Sequence, residues 1–130
     1  MKSLKIETSR KVEFIDITLK VKKIVEKLNE ESGLVVLNVP HTTAGITINE
    51  NADPDVKRDI IKEINSLVPF EDDYAHREGN SAAHIKSCLI GSSETIILES
   101  GNIQLGRWQG IYFCEFDGPR TRNVHIKVLD

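Results

Sequence analysis

Apolar residues recur along this chain with two different periods, and the switches between them mark out its elements. Val21, Ile24, Val25 and Leu28 repeat at helical spacing between Leu19 and Ser32. That predicts an amphipathic helix, ended by Gly33 in a left-handed C-terminal position. A second helical stripe comprises Val56, Ile60, Ile61, Ile64, Leu67 and Val68. It follows Asp53-Pro54, a capping carboxylate with proline at the first helical position, and stops before Pro69. Strands are expected where the period falls to two or a β-branched run is continuous: 4–9 and 12–18 around a turn near Arg10-Lys11, then 34–39, 45–51, 94–99, 103–106, 109–117 and 122–129. A charged loop fills 69–79. A short helix is expected from Asn80 to about Leu89, with Ile85 and Leu89 on its packing side.

This order of strands, helix, strands, helix and then mostly strands implies an α+β domain in which helices cover an antiparallel or mixed sheet. With 130 residues there is room for one such domain. Along 111–117, Ile111, Phe113 and Glu115 share one strand face while Tyr112, Cys114 and Phe116 share the other. Both faces are mostly apolar, so this strand is central and Glu115 points into the interior.

Composition narrows the function more than the fold. Only 5% of the residues are aromatic, so Ile, Leu and Val must supply the core. A net charge of −3 argues against a general nucleic-acid or membrane binder, because phosphate-backbone affinity comes from a basic excess. Cys88 and Cys114 form no close pair, which suits a reducing cytoplasm better than a disulfide scaffold. No run reaches the roughly 18 apolar residues of a membrane span.

Three polar clusters carry the candidate chemistry. In NVPHTTAGITINEN (38–51), His41, Thr42 and Thr43 stand between two strands, and Asn49, Glu50 and Asn51 end the second. Polar groups at strand ends suit a binding site, although the hydroxyls of a hairpin can also satisfy their own turn. In YAHREGNSAAHIKSCLIG (74–91), His84 lies one turn beyond Asn80, and His76 lies close to the helix start, where backbone N–H groups favour an anion. Imidazoles from separate segments can also form an open divalent-metal site. In the third cluster, GNIQLGRWQGIYFCEFDGPRTR (101–122), a buried Glu115 needs a partner, with Arg107, Arg120, Arg122 or a histidine as candidates. Arg120 and Arg122 suit phosphate or carboxylate, while His125 faces solvent on its strand and takes no role.

The stretches HTTAGITINENADPDV, YAHREGNSAAHIKSCLIG and LGRWQGIYFCEFDGPRTR closely resemble the YjbQ-like proteins (UPF0047), also called the secondary thiamine-phosphate synthase family. The resemblance runs from about residue 5 to 129. It implies a small α+β domain of β-sandwich character and a homotrimer. It also implies a weak thiamine-phosphate synthase activity, joining a hydroxymethylpyrimidine diphosphate to a thiazole phosphate with release of pyrophosphate. The motif positions matched are His41, Thr42, Thr43, Asn49, Glu50 and Asn51; His76, Asn80, His84 and Lys86; and Gly106, Trp108, Gln109, Glu115, Asp117, Gly118 and Arg120. Arg107 departs from the small residue more usual before the tryptophan.

The resulting expectation is one pocket. His41, His76 and His84 converge on a divalent metal, zinc or magnesium. His41, His84, Glu115 and Asp117 act in catalysis. Thr42, Thr43, Asn51, Asn80, Lys86, Gln109 and Arg120 hold a small phosphorylated metabolite. The alternative is a non-catalytic trimer that binds a metal or phosphometabolite for regulation.

Overall fold

The structure is a computed structural model describing residues 1–130. Its elements run β1 (Lys2–Glu7), β2 (Glu13–Asp16), α1 (Thr18–Leu28), β3 (Gly33–Asn38), β4 (Ala44–Glu50), α2 (Pro54–Leu67), α3 (Ser81–Ile90), β5 (Ser93–Glu99), β6 (Asn102–Ile103), β7 (Gln109–Glu115) and β8 (Thr121–Leu129). Eight strands form two sheets, in the orders β1-β8-β3-β5-β6 and β2-β7-β4. Every pairing is antiparallel. The two strands expected around Arg10-Lys11 therefore do not pair with each other; β1 joins β8 and β2 joins β7.

The sheets are layered, and β7 is the middle of the molecule. Its Ile111 and Phe113 face a large core shared with Val35, Leu37, Ile96, Val124 and Ile126 of the five-stranded sheet. Its Tyr112 and Cys114, followed by Phe116, face a second, smaller core with Phe14 and Ala83, which Ile60, Ile61 and Ile64 of α2 help to cover. A strand buried on both faces reads as a continuous apolar run, as this one does. Helix α1 closes the side of the larger core with Val21 and Val25.

Two helix ends show how local chemistry is used. Asp53 caps α2 as expected, its carboxylate accepting the Asp55 N–H at 2.9 Å with Pro54 next in line. Helix α1 ends four residues before Gly33, on a left-handed Asn29. Gly33 instead opens β3 at φ +142°, where a Cβ would collide with the Leu129 carbonyl.

Helix α3 presents the reverse of its expected face. Ile85 and Leu89 are exposed, while Ala82, Ala83, Lys86 and Ser87 are buried. The reason is close approach: small residues let α3 lie directly on β4, and Ser87 Oγ donates to the Ala44 carbonyl at 2.6 Å. Lys86 shares that face and is fully enclosed. Its ammonium donates to Asn65 Oδ1 at 2.8 Å and sits 3.3 Å from the Phe70 ring centroid. Burial, then the Lys11 charge, lower its pKa from 10.5 to about 8.

A lysine whose folded pKa is depressed binds its proton less readily than in the unfolded chain. Stability should therefore rise with pH between about 8 and 10.5. In Lys86→Met, urea midpoints at about pH 7 and about pH 9.5 should lose this component of the rise. An undiminished rise in the variant would contradict the assignment to Lys86.

Candidate functional site

The expected pocket is divided among three places. At one end of the β4–β7 pair, an open cleft of about 560 Å³ is lined by Val39, Pro40, His41, Thr42, Thr43, Ser92, Arg120 and Arg122. On the outer side of α3, His76 and His84 lie against Tyr74, Ala75, Ser81 and Ile85 around a shallow hollow of about 360 Å³. At the other end of β4–β7, Asn51 and Gln109 line the largest cleft, about 830 Å³. Ala44 pairs with Glu115 and Glu50 with Gln109. The two ends are thus about six residues apart, roughly 20 Å at strand rise.

The first cleft is built on a buried ion pair. Arg122 and Glu115 are 3% and 0% exposed. Arg122 Nε donates to Glu115 Oε2 at 2.7 Å and Nη2 to Oε1 at 2.5 Å. Nη2 also donates to Thr43 Oγ1 at 2.8 Å, and Glu115 Oε1 accepts the Asp117 N–H at 3.0 Å. This partnered geometry is what makes two charges tolerable away from water. Glu115 therefore positions its neighbours and does not line the cleft. Asp117 accepts from Asn80 Nδ2 at 3.0 Å and from Arg120 Nη2 at 3.1 Å, tying the start of α3 to the cleft's rim. Asn80 occupies the N-cap position but makes no side-chain cap.

His41 has its own constraint. Its Nε2 accepts the Asn123 backbone N–H at 3.0 Å. The neutral ring must then carry its proton on Nδ1, which leaves a donor and no free lone pair. Burial, then Arg122, push its pKa below the ordinary value, against the opposing pull of Glu115. His41 thus enters the cleft as a neutral N–H donor.

The three-histidine metal site does not form within the chain. No three His, Cys, Asp or Glu side chains cluster to hold an ion. His76 and His84 do meet, edge to face with centroids 5.5 Å apart. His41 lines a different cleft, and its only lone pair is engaged. Within one chain these three histidines therefore converge on no common zinc or magnesium position. Lys86 lies inside the second core region and touches none of the three clefts.

Some participants were outside the sequence reading. Ser92 lines the first cleft, the Asn123 N–H holds its His41, and Asp16, Thr18, Lys20 and Lys22 line the largest. Asp16-Ile17-Thr18 carried a usable signal, an acceptor two residues before the start of a helical stripe. A backbone donor such as that of Asn123 leaves no trace in side-chain patterns. Trp108 is 54% exposed, with Arg107 stacked 4.8 Å from its ring centroid, so it anchors no core.

Fold and cleft together define a small α+β sandwich with a cleft lined by His41, Arg120 and Arg122 at one sheet end. The family model for UPF0047, YjbQ-like proteins, matches residues 2–130, and the chain belongs to that family. It is 51% identical to the UPF0047 protein YugU of Bacillus subtilis, over 99% of this chain and 98% of that one. It is 51% identical to the UPF0047 protein MJ1081 of Methanocaldococcus jannaschii, over 95% of this chain and 90% of that one. A crystal structure of an uncharacterised family member from Clostridium acetobutylicum superposes with a TM-score of 0.97 at 54% identity, covering 99% of this chain and 100% of that chain. A YbjQ-like protein of unknown function from Sulfolobus solfataricus gives 0.94 at 29% identity, covering 98% and 94%.

Two outcomes are expected. Removing one partner of the buried pair, as in Arg122→Leu, should cost about 3–5 kcal/mol by urea unfolding, and Glu115→Leu combined with it should restore much of that loss. Proton NMR titration should place His41 below the usual histidine midpoint of about 6.5. Because the folded ring resists protonation, its contribution to stability is present above that pH and lost as pH falls through the lowered value. A midpoint at or above the usual value would contradict the engaged Nε2.

Proposed function

We propose that this protein binds a small phosphorylated metabolite in the cleft between His41 and Arg120. One observation carries the reading: the cleft offers the His41 Nδ1–H, Thr42 and Ser92 hydroxyls and the Arg120 guanidinium, and no carboxylate lines it. Donors of this kind suit a phosphate oxygen, and guanidinium suits its geometry. Arg120 keeps donors free for a ligand while Nε and Nη2 hold the Asp117 carbonyl and carboxylate.

The same cleft fits a weak thiamine-phosphate synthase reaction. In that step the thiazole nitrogen attacks the pyrimidine methylene carbon, a C–N bond forms, the C–O bond to diphosphate breaks, and pyrophosphate leaves. The bond exchange needs no general base, which agrees with a neutral His41 whose lone pair is engaged. Arg120 and the His41 N–H would stabilise the charge that collects on the leaving diphosphate. The lack of a placed base equally supports a binding protein without turnover. Homotrimer formation belongs to this proposal. It is supported by an exposed apolar row, Leu34, Ile97 and Leu129, across three neighbouring strands.

Pyrophosphate titrated into the protein should bind saturably, and Arg120→Ala should weaken it at least about tenfold, or about 1.4 kcal/mol. Chelation of divalent metals should not change the wild-type result. Thiamine-phosphate formation from the two precursors, lost in Arg120→Ala, would assign the synthase step. Binding without product would assign the binding role. Absence of both would remove the proposal.

A further inference from the structure

The largest cleft lies away from the His41 site and has no part in the function proposed above. It is lined by Asp16, Thr18, Lys20, Lys22, Asn51, Arg107 and Gln109, with Leu19, Ile103 and Leu105 as its apolar members. Its volume, about 830 Å³, is in the range of ligand pockets of drug-sized molecules.

The floor of the cleft is preset. Thr18 donates both its backbone N–H and its hydroxyl to Asp16 Oδ1, and the hydroxyl in turn accepts the Ile111 N–H at 2.8 Å. Asn51 Nδ2 donates to Asp16 Oδ2 at 3.1 Å, and the Asn51 backbone N–H is held by the Trp108 carbonyl at 3.0 Å. Asn51 lies directly on Gly110, where any Cβ would collide with its amide. Glycine at 110 is thus required by the seat of an exposed asparagine, so the side chain keeps one orientation without a ligand. On the far wall, Gln109 Oε1 accepts the Gly106 N–H at 2.7 Å, which turns its Nε2 outward.

The functional groups left over are specific. Asp16 Oδ2 retains a lone pair and Asn51 Oδ1 is an unengaged acceptor, so the floor asks for a donor. Gln109 Nε2 is an unengaged donor. Lys20, Lys22 and Arg107 stand at the rim without carboxylate partners, near the positive end of α1, whose first turn carries no acidic residue. Asp16 is the cleft's sole carboxylate. Partial burial raises its pKa, but hydrogen bonds from Thr18 and Asn51 and the Lys57 charge outweigh that and keep it ionised. The cleft therefore combines the surplus positive charge of three exposed cations with acceptors at Asp16 and Asn51 and apolar surface from Ile103 and Leu105.

We infer that this cleft is a second ligand site, taking an apolar-bodied phosphate ester that carries an amino or hydroxyl donor. The donor end meets Asp16 Oδ2 and Asn51 Oδ1, and the phosphate meets Lys20, Lys22 and Arg107. The body lies along Ile103 and Leu105. Arg107 becomes a specificity residue, because its guanidinium is held beside the rim by stacking on Trp108.

The test uses the full chain and its single tryptophan, Trp108, whose ring stacks with Arg107 of the cleft lining. Adenosine monophosphate serves as the probe, since it joins an amino donor, a flat apolar body and a phosphate. Adenosine and inorganic phosphate are the controls. Trp108 fluorescence should change saturably with the monophosphate, and either control should bind at least about tenfold more weakly. Lys22→Ala, at an exposed position that leaves the Arg107–Trp108 pair intact, should weaken the monophosphate at least about tenfold. Arg107→Ala, followed by saturation-transfer NMR of the ligand, should do the same. No saturation up to about 10 mM would overturn the inference. So would adenosine binding as tightly as its monophosphate, or equal affinity in wild type and both variants, which would place the ligand elsewhere.

Discussion

The buried pair of Arg122 and Glu115 is the interaction on which the rest of this structure depends. Arg122 comes from β8 in one sheet, Glu115 from β7 in the other, and Thr43 from just before β4. One guanidinium thus fastens the two sheets together at the end where the first cleft opens. Two charges so thoroughly removed from water are stable only as a pair, so the local geometry is all or nothing. The Asp117 N–H completes the set, and through Asp117 the same network reaches Arg120 and the start of α3. Under the proposed binding role, a ligand arriving at Arg120 would meet a group already oriented by Asp117, with little ordering entropy left to lose.

The second constraint is that β7 is apolar on both faces. It obliges the chain to cover β7 twice, by a larger sheet on one side and by α2 and α3 on the other. The helix layer is thin, and α3 makes up for this by lying close, with Ala82, Ala83 and Ser87 against β4. That closeness carries Lys86 into the interior. The lysine is then stabilised by Asn65 and the face of Phe70, with no carboxylate among its partners.

The sequence was most readable where one residue pattern had one structural meaning. Asp53-Pro54 marked the start of α2, and the double-faced run at 111–117 identified the central strand. It misled where a motif spans a whole strand. HTTAGITINEN begins at His41 on one end of β4 and finishes at Asn51 on the other, and the third motif treats β7 likewise. Residues adjacent in a motif look like one site, yet the rise of an extended strand, about 3.3 Å per residue, carries the motif's ends to opposite ends of the sheet. Helix α3 misled for another reason. Small residues carry little hydrophobic signal, so the larger Ile85 and Leu89 seemed to define the packing face. Ala82, Ala83, Lys86 and Ser87, at relative positions 0, 1, 4 and 5, were the available sign of a close-packed stripe.

The central claim is that the cleft at His41 is a preset, carboxylate-free site for oxyanions. The most direct measurement is the anomalous difference map of a crystal soaked in tungstate, a heavy analogue of phosphate. The account predicts one strong peak within hydrogen-bonding distance of His41 Nδ1 and the Arg120 guanidinium, with the Arg122–Glu115 pair unmoved. A cleft that stays empty at full soak, or a tungstate reached only after Arg122 leaves Glu115, would contradict it.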